Sequence, residues 1–377
     1  MDIGARVAEA RTGAGLTQAQ LASAIGIERS ALAKIETGLR RVSAVELVAI
    51  GRELRRRVEW FVEPGPEAIV SYRAAHAETA TQRIDTELER IVRDVEFVVE
   101  SHPQLVDNQP NPSKQPGSTN DAETLAAEAR GLLGLRPDTP ANDLTGLVAG
   151  IGLLSFAVLL GDGADGGTVL LRTGGVSVIN GDLQAGRRRL TLAHELGHYL
   201  IADPYTTDWR VASADTEALE TRLDRFARAL LLPEEDLRDR WSEWTASGEV
   251  RDAAVRAGSH YRVDMSTLAR RLTECRVIDA DTANYVRGAR TRRADIVEMD
   301  LVVHHEMEPV SLPRPYERAV LDLYRSELIS EDRALDLLLD TFERDELPDL
   351  PPTSQGEIWT FGPRPMTPQP MCSTPVH

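Results

Sequence analysis

The residues best equipped for chemistry lie in the run Leu190-Thr-Leu-Ala-His-Glu-Leu-Gly-His-Tyr-Leu-Ile-Ala202, whose centre, His194-Glu195-Leu196-Gly197-His198, has the form H-E-x-x-H. On an α-helix two histidines four residues apart lie one turn apart on one face, so both imidazoles can hold the same ion. Glu195 is turned only ~100° from His194 and can serve as a base toward a water held there. Leu192, Leu196 and Tyr199 form a separate apolar stripe at i, i+4 and i+7, which buries the other side and leaves the histidines facing a cleft. The competing reading is a core helix with two incidental histidines.

Catalytic zinc takes three protein ligands and keeps one position open, so a third ligand must come from elsewhere. The segment from Ala218 to Pro233 reads as an amphipathic helix, with Leu219, Leu223, Phe226 and Leu230 as its core stripe and Pro233 at its end. Glu220 and Asp224 share a neighbouring face. Glu220 can then bind the metal while Asp224 accepts a hydrogen bond from the far nitrogen of a zinc-bound histidine and fixes its tautomer. In a chain with 60 acidic residues, an ordinary solvated helix face shows the same spacing. Upstream, Thr168-Val-Leu-Leu-Arg172 and Gly175-Val-Ser-Val-Ile-Asn180 predict a small hairpin. An exposed strand beside the cleft can hold an extended peptide by β-augmentation, which makes Val176, Val178 and Asn180 candidate substrate-binding positions. A purely structural hairpin is the alternative.

A second signal occupies residues 1–60. Thr17 is placed to cap a first helix, Gly26 to make a tight turn, and a second helix is predicted from about Glu28 to Glu36. Leu21, Ala22, Ile25, Ile27, Leu32 and Ile35 form the expected shared core. The Thr-Gln-x-x-Leu-Ala and Lys-Ile-Glu-x-Gly elements in this stretch resemble the XRE/Cro-type helix-turn-helix, in which the second helix enters the major groove. The resemblance implies that Arg29, Ser30 and Lys34 face DNA, that Gln18 positions the preceding helix on the DNA backbone, and that Arg40 or Arg41 reaches phosphate. Use of the module for partner binding alone is the rival. Residues 1–60 carry ten basic and seven acidic residues, a net of +3, whereas the whole chain stands at −17, so the remainder sums to −20. The one basic region is therefore the DNA-binding candidate.

The run from Gly186 through His198, followed by Glu220-x-x-x-Asp-Arg-Phe-Ala-x-x-Leu-Leu-Leu-Pro233, resembles the ImmA/IrrE family of bacterial zinc metallopeptidases over roughly residues 121–275. That gluzincin-like family implies His194, His198 and Glu220 as ligands of one Zn2+ per chain, Glu195 as catalytic base, and Asp224 behind a ligand, where the family often has Asn. Its members cut repressor proteins, so the resemblance implies a protein substrate.

Composition bounds the rest. A chain of 377 residues with 42% apolar content can bury two or three cores. The fold class expected is multidomain. An all-α helix-turn-helix domain at 1–65 precedes a helical connector and flexible linker at 66–120, the latter from the Pro, Asn, Gln and Ser content of 101–120. An α+β metallopeptidase domain follows at 121–290, completed by a helical stretch from Tyr261 to Val277, then a helical extension at 291–345 and a disordered Pro-rich tail at 346–377. No apolar run spans a membrane and the start lacks signal-peptide character, so a cytoplasmic protein with no membrane partner is expected. Two cysteines, Cys275 and Cys372, cannot build a disulfide framework and neither is placed as a nucleophile. His304-His305-Glu306 invites a metal reading, but adjacent residues point apart. His260 and Tyr261 are oxyanion candidates by residue type only.

The leading expectation is a homodimeric regulator that binds operator DNA and cleaves a protein with zinc: a repressor, a toxin-antitoxin partner or itself. A cut within 101–120 would separate DNA binding from the rest. The alternative is a DNA-binding repressor or antitoxin whose zinc domain is a non-catalytic sensor or partner platform. Glu195 speaks against that, because a structural zinc site needs no base. A free-standing peptidase whose first module binds protein would show no operator binding.

Overall fold

The computed structural model describes residues 3–54, 56, 58–62, 83–161, 165–203, 205–207, 214–246 and 248–350. The expectation of a disordered tail falls almost wholly on 351–377, outside those residues, as does 66–82 of the expected connector.

The first module consists of α1 (Ile3–Gly13), α2 (Gln18–Ala24), α3 (Arg29–Glu36), α4 (Ala44–Glu53) and α5 (Val58–Val62). Thr17 and Gln20 form a reciprocal capping box that starts α2, with Thr17 Oγ1 accepting from the Gln20 amide at 3.2 Å and Gln20 Oε1 from the Thr17 amide at 2.8 Å. Gly26, at φ +71°, makes the turn that lets α3 begin three residues later. Leu21, Ala22, Leu32 and Ile35 are buried as expected, while Ile25 and Ile27 pack half-buried at the margin of the core. A Cβ at Gly4 would stand 2.0 Å from the Ile35 carbonyl oxygen, so glycine is what allows α1 to lie across the end of α3.

After this module come α6 (Arg83–Ser101), α7 (Thr119–Leu132), α8 (Leu144–Ala149), β1 (Leu153–Val158), β2 (Gly166–Leu170), β3 (Gly175–Asn180), α9 (Ala185–Leu200), β4 (Tyr205–Thr207) and α10 (Ala214–Leu231). The remaining helices are α11 (Glu234–Ala246), α12 (Val250–Tyr261), α13 (Met265–Glu274), α14 (Ala280–Gly288), α15 (Arg293–Glu298), α16 (Arg314–Arg325) and α17 (Glu331–Leu337). The strands form one sheet in the order β1-β3-β2-β4, with β3 parallel to β1 and antiparallel to β2. Every residue of β1 and β3 is buried, so both sheet faces are covered. Alternate side chains go to two cores. Leu153, Ala157 and Ile179 join the core of α9 and α10, whereas Leu154, Phe156, Val176 and Val178 join that of α6 and α16.

Four expectations are corrected here. The strand 175–180 is central and not an edge: Val176 and Val178 are fully buried, and Asn180 is taken up by the backbone of Gly161 and Asp182. Val176, Val178 and Asn180 therefore cannot receive a substrate strand, because β1 already occupies the free side of the hairpin. Residues 101–120 are no flexible linker. Val106 is fully buried, the Ser113 amide donates to Leu200 O at 2.7 Å, and Gln109 Oε1 accepts from the Gly174 amide at 2.8 Å. Both α6 and the 291–345 extension are part of the sheet's second core, through Leu88, Val92 and Val95 on one side and Tyr316, Val320 and Leu323 on the other. The Ser311 backbone also bridges Ala157 of β1, at 2.9 Å in each direction. Finally, Tyr261–Val277 is broken by Arg262, whose left-handed φ of 56° ends α12, before Asp264 caps α13 through the Ser266 and Thr267 amides.

Candidate metal centre

The helix α9 is held at both ends. Near its start, a Cβ on Gly186 would meet the Asp264 nitrogen at 2.3 Å, so the first turn rests directly on the backbone that joins α12 to α13. Near its end, the Tyr199 hydroxyl donates to Ile151 O at 2.7 Å. Leu192, Leu196 and Tyr199 are buried, as their spacing predicts. On the other face, His194 and His198 are 5% and 2% exposed and Glu195 is fully buried, so these polar groups sit inside the domain rather than on its surface.

The partner helix α10 buries Leu219, Leu223, Phe226 and Leu230. It crosses α9 at Gly197, where a Cβ would lie 3.0 Å from Leu223 Cδ2 and 3.1 Å from Phe226 Cδ1. The glycine between the two histidines thus sets the helix separation. At that separation Glu220 Oε2 comes to 3.0 Å from His194 Nε2 and 3.5 Å from His198 Nε2, and the two Nε2 atoms are 3.2 Å apart.

Each ring turns its other nitrogen to a carboxylate. His194 Nδ1 is 3.1 Å from Asp224 Oδ1, and His198 Nδ1 is 3.3 Å from Asp203 Oδ2. A hydrogen on each Nδ1 satisfies those carboxylates and leaves both Nε2 lone pairs pointing inward, beside the Glu220 carboxylate. Three acceptors at such distances repel one another unless a cation lies among them. Tetrahedral zinc with bonds of about 2.0–2.1 Å spaces its ligands about 3.3 Å apart, close to what His194, His198 and Glu220 adopt. Among the described residues these three are the group able to hold a metal ion.

The electrostatics point the same way. Burial works against charge on His198, but the hydrogen bonds to Asp203 and Glu220 outweigh it and carry its pKa up to about 9. Burial likewise opposes charge on Glu220, yet the two histidines hold its carboxyl far below the usual range, and His194 lowers Asp224 in the same way. The cluster is built to attract positive charge, and protons compete with a metal for it.

Asp203 escaped the sequence reading, since its role depends on how the chain turns after α9. Other candidates lie elsewhere. Glu306 forms an ion pair with the buried guanidinium of Arg189 and accepts from the Thr145 amide at 3.2 Å, while His305 pairs with Glu308 at the surface. Tyr261 gives its hydroxyl to Asp236 at 2.6 Å and His260 packs against Trp244. Burial raises the Cys275 thiol to about 11, which suits a core residue and not a nucleophile. In the first module Arg29, Ser30, Lys34, Arg40 and Arg41 are exposed. Gln18 donates from Nε2 to Glu36 at 2.8 Å, and Arg11 pairs with the same carboxylate at 2.6 Å, locking α1, α2 and α3 together.

A five-helix module whose α3, the second helix of the helix-turn-helix pair, exposes Arg29 and Lys34, followed by a sheet domain whose two-histidine helix meets a glutamate helix, defines a helix-turn-helix regulator carrying a peptidase-like domain. Comparison with protein families agrees. Residues 7–61 match the helix-turn-helix family model, and residues 161–273 match the IrrE N-terminal-like domain of peptidase family M78. The second match contains His194, His198, Asp203, Glu220 and Asp224. No curated protein matches the chain. Among the described residues, no helix is long and apolar enough to cross a membrane.

Proposed function

We propose that this protein is a cytoplasmic DNA-binding transcriptional regulator, acting as a homodimer on an operator, whose second domain is a zinc-dependent endopeptidase that cleaves a regulatory protein. The substrate is a repressor, a toxin-antitoxin partner or a copy of the chain itself. The observation that carries the reading is the convergence of His194, His198 and Glu220 within 4.8 Å on two packed helices, with Glu195 next in sequence to a ligand. These three residues would hold the ion. The chemistry it supplies is Lewis acidity toward the scissile carbonyl and the attacking water. Glu195 then takes the proton of that water and passes it to the leaving amine. Asp224 keeps the His194 ring in the tautomer that offers Nε2 inward. In the first module Arg29, Ser30 and Lys34 read base edges, Arg40 and Arg41 meet phosphates, and Gln18 fixes the helix that crosses the DNA backbone.

The test sets wild type beside Glu195→Gln, each with zinc and with the products of neighbouring genes as substrates. Cleavage by wild type alone, with zinc retained by both, is expected. Cutting by Glu195→Gln at the wild-type rate would sink the assignment. Zinc retention without cleavage by either protein would favour a sensor domain, and a gel shift on the chain's own promoter that fails would return the first module to protein binding.

A further inference from the structure

We infer that Asp203 is a positioning residue for the metal centre, holding the His198 ring in the orientation and tautomer that present Nε2 to the ion. The inference rests on the zinc reading above. After α9 the chain closes in the two-bond pattern that commonly ends helices: the Ala202 amide donates to Tyr199 O at 3.2 Å and the Asp203 amide to His198 O at 3.1 Å. The left-handed residue of such a closure is usually glycine, but here it is Ala202, at φ 56°. This turn folds the chain back over the last turn of the helix and lays Asp203 Oδ2 3.3 Å from His198 Nδ1.

Asp203 therefore grips His198 twice. Its amide takes the histidine's carbonyl and its carboxylate takes the ring. A helix end needs only the amide, which any residue supplies, so the carboxylate is the part that termination does not explain. Its side chain is 29% exposed, sheltered enough for one hydrogen bond to set the ring. A carboxylate on Nδ1 also makes Nε2 a better ligand. The two histidines are thus supported differently. Asp224 reaches His194 from α10 and depends on the packing of two helices, whereas Asp203 reaches His198 from five residues along the same chain. The resulting pattern is H-E-x-x-H-x-x-x-x-D.

The test uses the full-length protein and a chelator-competition titration of zinc, with Co2+ absorption as a second readout. Asp203→Ala keeps the amide and hence the helix end. It should bind zinc ~10- to 100-fold more weakly and shift the cobalt bands. Asp203→Asn, which still offers an oxygen to Nδ1 without the charge, should fall between alanine and wild type. If Asp203→Ala binds zinc as tightly as wild type with an unchanged cobalt spectrum, whatever happens to its metal-free melting temperature, the proposal is overturned. If wild type takes up no zinc, or His198→Ala binds it as tightly as wild type, the zinc reading itself fails, and that result is distinct from the first.

Discussion

Gly197→Ala should damage the metal centre without touching a ligand. In a free helix the change stabilises by about 0.5–1 kcal/mol, because glycine pays the larger conformational entropy. Here the new methyl group would arrive 3.0 Å from Leu223 Cδ2 and 3.1 Å from Phe226 Cδ1, against an ordinary carbon separation of about 3.5–4.0 Å. Both neighbours are fully buried, so the strain goes into separating α9 from α10. Overpacking of this kind costs about 1–3 kcal/mol, which leaves a net loss of about 1 kcal/mol. Glu220 lies one turn before Leu223 on α10 and moves out with it. Since a site tolerates only about 0.5 Å of misplacement, zinc affinity should fall ~10-fold. Urea denaturation in chelator measures the first effect and competition titration the second. The control is Gly131→Ala, near the end of α7, where an added Cβ meets nothing within 4 Å and should stabilise by about 0.5 kcal/mol. If Gly197→Ala proves as benign as Gly131→Ala and binds zinc like wild type, the helix crossing does not set the site.

Arg189→Ala should cost more than about 2 kcal/mol in urea denaturation, since it removes a guanidinium only 1% exposed that donates to the Arg262 and Ala141 carbonyls, and it leaves Glu306 only the longer charge contact to Arg262 at 3.8 Å; Arg270→Ala, 64% exposed, should stay within about 0.5 kcal/mol. Burial pushes the Glu123 carboxyl up, but Arg271 and Arg225 outweigh it and hold the pKa below the usual value. A carboxyl lowered in the folded state stabilises fully above its unfolded pKa of about 4.3, and that stability is lost as pH falls through the folded value. The melting temperature should therefore drop in acid, and Glu123→Gln should lower the neutral plateau and flatten that acid limb. Arg29→Ala should weaken operator binding by about 1–3 kcal/mol in fluorescence anisotropy, while Arg41→Ala, which removes a proposed phosphate contact, should reduce the salt dependence by about one unit of slope.

Short-range geometry was legible in the sequence and long-range pairing was not. The H-E-x-x-H spacing, the Glu220 and Asp224 face and the Thr17 cap each follow from helical periodicity over a few residues, and each falls where the pattern puts it. The order of strands follows from contacts among distant segments. Nothing inside 175–180 says that Leu153–Val158 lies beside it, and that run, apolar but for Ser155, lacks the alternation by which a strand is recognised. Composition misled at 101–120, where polar and proline residues surround Val106, the fully buried apolar side chain of the stretch. In α6 the charged residues hid a stripe at three- and four-residue spacing, from Ile84 through Leu88, Ile91 and Val95 to Val98. Asp203 needed the left-handed turn at Ala202, which alanine does not advertise.

The docking of α6 against the strands bears on how such a chain could be switched off by proteolysis. A nick between Ser101 and Thr119 would leave the severed amino-terminal piece bound through Leu88, Val92 and Val95, as in a fragment-complemented protein. The two pieces would migrate as one particle under native conditions and as two bands in denaturant. To set the DNA-binding module free, the break must come before Arg83, or the second core of the sheet must come apart first.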